Sequence, residues 1–302
     1  MMDFRQDTPN LRGPESPDGD SCRGLLLWAG NKLKILGPHE SQMEAEWLLA
    51  EVLGVVRSEL YLEGRSIPIE KREQFRSYVT QREKRIPLPY IAGKAYFWEE
   101  ILEIGPACLI PRPETELLVA RFIENSGFKK NDYFRFLDLA TGSGAIGIAL
   151  MRHFPNAHAT LADISQEALS VARRNVGHYQ LAERTEIVQS DCFENLTKQR
   201  WDAIVCNPPY LAEADWQYLE PEIFYEPRQA LDGGSDGLDF YRRLLLEVRG
   251  HLHVCGWLGL EMGIHQAQTV MAWLEEKRFE VIQCYPDYAG IDRVILAQMK
   301  LR

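Results

Sequence analysis

The sequence predicts an α/β protein: seven strands in a mostly parallel sheet with helices on both faces, preceded by a small helical bundle. Three observations predict it. From Phe134 onward, apolar runs near 134–139, 159–163, 186–189, 201–206, 257–262, 280–285 and 293–297 alternate with amphipathic segments, the pattern of repeated strand–helix units. From Gly24 to Ile86, apolar residues recur instead at helical spacing. Between the two regions, Pro87, Pro89 and Gly93 interrupt the chain.

Bulk properties narrow the function classes. The 302 residues suffice for one large or two smaller domains, and 45% hydrophobic with 26% charged residues is ordinary globular composition. A formal net charge of −10 argues against sequence-independent binding to phosphate backbones, which needs clustered Lys and Arg. The acidity belongs to the region after residue 92, because the helical region is nearly neutral. Six scattered cysteines show neither C-x-x-C pairs nor zinc spacing, so reduced thiols and a cytoplasmic setting are expected. Residues 1–23 are rich in Pro, Gly, Asp and Ser and read as a disordered extension without the apolar segment of a signal peptide.

Taken in order, 24–90 reads as the helical domain. Ser41-x-x-Glu44 fits a capping box opening a helix that Gly54 closes, and Pro68 opens another that ends before Pro87. Residues 91–113 read as a linker containing a β-hairpin, Ala95–Glu99 with Ile101–Ile104. Residues 114–302 form the α/β domain. Glu114, Thr115 and Glu116 open its first helix, either as a lid over a ligand or simply as residues favoured at a helix start.

The first strand of the α/β domain runs into Asp138-Leu-Ala140-Thr141-Gly142-Ser143-Gly144-Ala-Ile-Gly147. Glycines at 142 and 144 allow a tight turn and close approach of backbone to a ligand, and the following helix would aim its N–H groups there. Asp163 ends the next strand, where a carboxylate can accept both hydroxyls of a ribose. Asp191 and Cys192 end the third, placed to border an adenine. Three strand ends thus outline a nucleoside-shaped slot. Gly142-x-Gly144-x-x-Gly147 also satisfies the dinucleotide fingerprint, so an NAD-binding oxidoreductase competes. Asp138, an acidic strand end, suits an amine-bearing or cationic ligand better than a pyrophosphate.

The fourth strand ends in Asn207-Pro208-Pro209-Tyr210. Neither proline donates to a ladder, so the backbone leaves the sheet rigidly. The Asn207 side-chain oxygen and the Pro208 carbonyl then offer two acceptors beside an aromatic ring, which suits a planar –NH2 group. Alone, the segment is equally a rigid turn.

Together these residues resemble a class I S-adenosylmethionine-dependent methyltransferase, a Rossmann-like fold, acting on a planar nitrogen. Asn-Pro-Pro-Tyr is shared with adenine-N6 nucleic-acid methyltransferases. Ala95-Tyr-Phe-Trp98, Leu109-Ile-Pro-Arg-Pro-Glu-Thr-Glu-Leu-Leu118, Asp163-Ile-Ser165, Tyr225-Glu-Pro-Arg228, Ala230-Leu-Asp-Gly-Gly234 and Asp236-Gly-Leu-Asp-Phe-Tyr-Arg242 resemble the HemK/PrmC family, over about residues 25–302. The resemblance implies a protein-(glutamine-N5) methyltransferase acting in translation termination. Its substrate would be the Gly-Gly-Gln glutamine of class-1 peptide chain release factors, with no direct nucleic-acid or membrane partner. It implies cofactor contacts from Ala140, Thr141, Gly142, Ser143, Gly144, Asp163, Asp191, Cys192 and Asn207, and a substrate amide held by Asn207, Pro208, Pro209 and Tyr210. Pro89 and Cys192 depart from the family's usual residues.

Overall fold

A computed structural model describes residues 21–62 and 66–300; residues 1–20 of the expected extension lie outside them. The chain divides into two compact units between Ala92 and Gly93.

The first unit is helical. Helix α1 (Cys22–Lys32) is capped by Ser21, whose hydroxyl accepts from Gly24 N at 3.0 Å, so residues 21–23 belong to the bundle and not to the extension. Helix α2 (Pro38–Leu53) starts behind Gly37, with Pro38 in its first turn, and ends at Gly54 in the left-handed conformation. The expected capping box at Ser41 is therefore wrong: Ser41 lies inside the helix and donates to Pro38 O at 3.1 Å. Pro38 starts the helix earlier because it needs no N–H partner there. Helix α3 (Ile69–Glu83) follows Pro68. The proline-rich break itself forms a short helix, α4 (Leu88–Ala92). Leu25, Leu48, Leu49, Phe75 and Val79 are fully buried and form the core of this unit.

The second unit opens with a hairpin of β1 (Lys94–Phe97) and β2 (Glu100–Glu103). Helix α5 (Pro113–Asn125) follows. Then come β3 (Arg135–Leu139), α6 (Ala145–His153), β4 (His158–Asp163), α7 (Gln166–His178), β5 (Thr185–Gln189) and β6 (Trp201–Cys206). The chain ends with α8 (Asp239–His251), β7 (Leu252–Glu261), α9 (Ala267–Glu276), β8 (Phe279–Pro286) and β9 (Asp292–Met299). All seven expected strands of the large sheet are present, in the order β5-β4-β3-β6-β7-β9-β8, and only β9 runs antiparallel to its neighbours. Alternate side chains of each strand enter opposite cores. Phe136, Leu161 and Val205 pack with α5 and α6, while Leu137, Ile204 and Leu258 pack with α8 and α9.

The hairpin, read from the sequence as part of a linker, is hydrogen-bonded into this unit. Buried Asn175 of α7 accepts from Glu103 N at 2.7 Å, and its amide donates to Glu103 O at 3.0 Å and Ser143 O at 2.9 Å. One side chain thus ties hairpin, helix and glycine loop together.

Candidate active site

The carboxyl ends of β3, β4, β5 and β6 face one cavity of about 420 Å³, in the size range of small-molecule sites and at the sheet edge where such folds bind ligands. Ala140, Gly142, Asp163, Asp191, Cys192, Asn207 and Pro209 line it. The opposite walls are the 107–109 loop and residues 227–232. Those two walls are pinned by Glu226, which accepts from Ile110 N at 2.9 Å and from the Arg112 guanidinium.

The glycine loop is shaped from within. Asp138 is fully buried, and its Oδ2 accepts from the Thr141 hydroxyl at 2.6 Å and Gly147 N at 2.9 Å. Asp138 thus braces the loop through Oδ2 and is not among the residues lining the cavity, where the sequence suggested it would face a ligand; its Oδ1 is buried without a partner. Burial pushes its carboxyl up to about 7, against those two hydrogen bonds. The glycines permit the loop: Gly142 and Gly144 have φ of 56° and 86°. Gly147 lets the helix approach the sheet, since a Cβ there would lie 2.3 Å from Leu161 Cδ2. Thr141 and Ser143 are buried beneath the turn, and Gly144 caps α6. Of the five expected loop residues, only Ala140 and Gly142 reach the cavity lining. The N–H groups expected to face a ligand are partly spent: Gly147 N on Asp138, Gly144 N on Thr141 O.

Asp163 is held by Gly142 N at 2.8 Å on one oxygen and Ser165 N at 2.9 Å on the other. Burial raises its pKa despite these bonds. Each oxygen has capacity to accept a further hydrogen bond, the requirement for accepting two vicinal hydroxyls. Asp191 pairs with Arg243 of α8 at 2.7 Å, and Cys192 beside it is buried with φ of 50°.

After β6 the chain leaves the sheet as expected, and its four residues separate. Asn207 and Pro209 line the cavity, Pro208 is buried, and Tyr210 lies behind the lining. The Tyr210 hydroxyl donates to Glu261 Oε1 at 3.4 Å, and burial beside that carboxyl raises the Tyr210 pKa. Asn207 Nδ2 donates to Thr115 Oγ1 at 2.9 Å, whereas its Oδ1 is buried without a partner. An orphaned buried acceptor is costly unless something completes it.

A second set of residues holds this segment, and sequence reasoning gave them no such role. Gln266 Nε2 donates to Tyr210 O at 2.9 Å and Gly237 O at 3.1 Å, and its Oε1 accepts from Gly263 N at 2.9 Å. Gly233 and Gly237 press against the Tyr210 backbone so closely that a Cβ at Gly233 would sit 2.8 Å from Tyr210 Cα. The signal was present as Asp232-Gly-Gly-x-Asp-Gly237, glycine steps required by close backbone approach at Gly233 and Gly237 and by the positive φ of Gly234 and Gly237, 88° and 76°.

The residues fit a nucleoside-bearing donor such as S-adenosylmethionine: a carboxylate for ribose, a second polar strand end and glycine backbone line one cavity together with Asn207, whose Oδ1 is unpaired.

Comparisons with known proteins bear on this geometry. Residues 113–236 match the family model of the methyltransferase small domain, and residues 24–93 that of the PrmC N-terminal domain. A release factor glutamine methyltransferase of Geobacter sulfurreducens is 37% identical over 283 residues, covering 93% of this chain and 98% of that protein. One from Thermodesulfovibrio yellowstonii is 36% identical over 256 residues, covering 84% and 91%. Among solved structures, a methyltransferase from Pyrococcus furiosus matches with a TM-score of 0.50 at 18% identity, covering 66% of this chain and 89% of that one, a likeness of fold.

Proposed function

We propose a specific reaction for this chain, which belongs to the release factor glutamine methyltransferase family: methylation of the side-chain amide nitrogen, N5, of the Gly-Gly-Gln glutamine in class-1 peptide chain release factors. The observation that carries it is that Asn207, whose Oδ1 is buried without a partner, lines the same cavity as Asp163. When bound, S-adenosylmethionine supplies the methyl group as an electrophile.

Asp163 accepts ribose hydroxyls, and Asp191 with Cys192 borders the adenine side. Ala140 and Gly142 offer backbone, while Thr141, Ser143 and Gly144 keep that backbone in shape. Asn207 and the substrate do the rest. A glutamine nitrogen is a poor nucleophile, since its lone pair is shared with the carbonyl in the resonance that gives amides a rotation barrier of roughly 18–20 kcal/mol. Asn207 Oδ1 and the Pro208 carbonyl each accept one N–H. These bonds draw the hydrogens out of the amide plane and expose the lone pair. The same acceptors offset the positive charge that grows on nitrogen, which is electrostatic preorganisation. Pro209, on the lining, fixes the amide plane, and Tyr210 braces it from behind. The proton leaves to water; no side chain is assigned as base.

The inward bracing of Gly144 N and Gly147 N supports this reading over hydride transfer, because a dinucleotide needs such donors for its pyrophosphate. No described helix is long and apolar enough to cross a membrane. The test is incubation with methyl-labelled S-adenosylmethionine and, separately, release factor, its Gly-Gly-Glu variant and duplex DNA. Label is expected on the first alone. Label on DNA would favour the adenine reading, and equal label on both release factors would remove glutamine as the acceptor.

A further inference from the structure

Three side chains from distant parts of the sequence meet behind the cavity wall: Thr115 in the first turn of α5, Asn207 after β6, and Glu261 at the end of β7. The Thr115 hydroxyl donates to Glu261 Oε2 at 2.6 Å. A hydroxyl has one proton, so with that proton committed its oxygen can only accept. It accepts from Asn207 Nδ2 at 2.9 Å. The carboxamide is planar, so fixing its nitrogen on Thr115 leaves Oδ1 as the free edge, and that oxygen is the buried atom without a partner. Asparagine alone carries no such preference. Rotated by half a turn, Asn207 would offer –NH2 in place of its oxygen.

We propose that Thr115 and Glu261 form an orienting pair that fixes the direction of the Asn207 carboxamide and thereby makes the site select a substrate –NH2 over a carboxylate. The proposal rests on the reading of Asn207 as the amide acceptor. Neither Thr115 nor Glu261 lines the cavity, and both are buried; they are positioning residues. The pair is itself held: the Tyr210 hydroxyl reaches Glu261 Oε1, and the Tyr241 hydroxyl donates to the Glu261 carbonyl at 2.8 Å. With the direction reversed, Asn207 would set donor against donor for a glutamine and would instead donate to the oxygens of a glutamate.

The test measures binding of intact release factor and its Gly-Gly-Glu variant to the protein loaded with S-adenosylhomocysteine, together with turnover. The unaltered protein binds the glutamine form more tightly. Thr115→Val, equal in volume but without the hydroxyl, reduces that preference about 10-fold and kcat by about 10- to 100-fold, the scale of a misplaced catalytic group. Thr115→Ser restores both to within about threefold, since it keeps the hydroxyl. Thr115→Val with the original preference and turnover, or Thr115→Ser as impaired as Thr115→Val, overturns the pair. In the first case an inactive Asn207→Ala leaves the acceptor reading standing; an Asn207→Ala with normal preference and turnover removes the acceptor reading itself. Should Thr115→Val fail to fold, Glu261→Gln carries the same test. Its carboxamide can face Thr115 with either edge, so the preference falls, and an unchanged preference refutes the proposal.

Discussion

Replacing Gly233 by alanine probes the cradle behind the Asn-Pro-Pro-Tyr segment without touching any group that meets a ligand. Gly233 N donates to Leu211 O at 2.9 Å and Gly233 O accepts from Asp239 N at 3.0 Å, so this backbone is held on both sides. An added Cβ would lie 2.7 Å from Gly237 O, 2.8 Å from Gly237 Cα and 2.8 Å from Tyr210 Cα. All three are backbone atoms, so no side chain can swing aside. Ordinary contact begins near 3.4 Å, so the two strands of backbone must part by about 0.6 Å. Overpacking of this kind costs about 1–3 kcal/mol, which for a domain of this size lowers Tm by roughly 2–12 °C. The shift enters the chain three residues from Asn207. Because a displacement near 1 Å at a reacting group can cost about 100-fold, kcat is expected to fall at least about 10-fold. The assay is thermal unfolding with steady-state methylation of release factor, beside Gly177→Ala as a control. Gly177 lies in α7 with nothing within 4 Å of its added Cβ, so that change is neutral or stabilising by up to about 1 kcal/mol. A Gly233→Ala protein with unchanged Tm and kcat would refute the close-packed cradle.

Other predictions follow from the same geometry. Asn207→Ala abolishes methyl transfer, checked by label incorporation at saturating substrate. Asp163→Ala raises the Kd for S-adenosylmethionine by about 100-fold or more, the loss of two charge-assisted hydrogen bonds at about 1.5–3 kcal/mol each; calorimetry showing an unchanged Kd would exclude the ribose role. Turnover rises with pH through about 7, because burial pushes the Glu261 carboxyl up to about 7 and its ionised form can only accept from Thr115, whereas the protonated acid can donate to the Thr115 oxygen and release that hydroxyl to donate to Asn207; the Thr115 and Tyr210 hydroxyls and Arg293 favour ionisation, while Glu114 opposes it. A kcat that is flat from pH 6 to 8 would contradict this. Stability runs the other way. Glu261 and Asp138, each raised to about 7 by burial, hold protons when folded that they lose when unfolded above their ordinary values. Their contribution is therefore greatest below about 4 and is lost as pH rises to about 7; Glu261→Gln flattens that slope in denaturant titrations.

The parts of the fold that were legible in the sequence are those fixed locally. Each strand of the large sheet is a short apolar run bounded by turn residues, and Gly54 closes α2 where an unhindered left-handed residue is needed. Ser41 shows how a local signal fails: its spacing to Glu44 satisfies a capping box, yet Gly37-Pro38 sets the helix start first. Asp138 shows a second limit. The sequence places it at a strand end but does not say which way it points, and the glycine loop folds back over it. The beginning of β7 at Leu252, five residues before the apolar run, depends on a bulge that carries the pairing from Trp201–Leu252 to Ala203–Trp257, with Cys255 at a φ of 63° that no residue type announces. In the candidate site, the strand-end residues could be named because topology brings consecutive strand ends together. Thr115 could be named only as a residue of a helix start or lid, and Glu261 and Gln266 not at all, because 146 residues separate Thr115 from Glu261 and only the folded sheet makes them neighbours.

The central claim is that the acceptor is a glutamine side-chain nitrogen in a release factor. Mass spectrometric sequencing of release factor after incubation with S-adenosylmethionine and this protein tests it most directly. The account predicts one methyl group, on the side chain of the Gly-Gly-Gln glutamine, absent when Asn207→Ala replaces the intact protein. A methyl group on any other residue, or the same modification produced by Asn207→Ala, would contradict it.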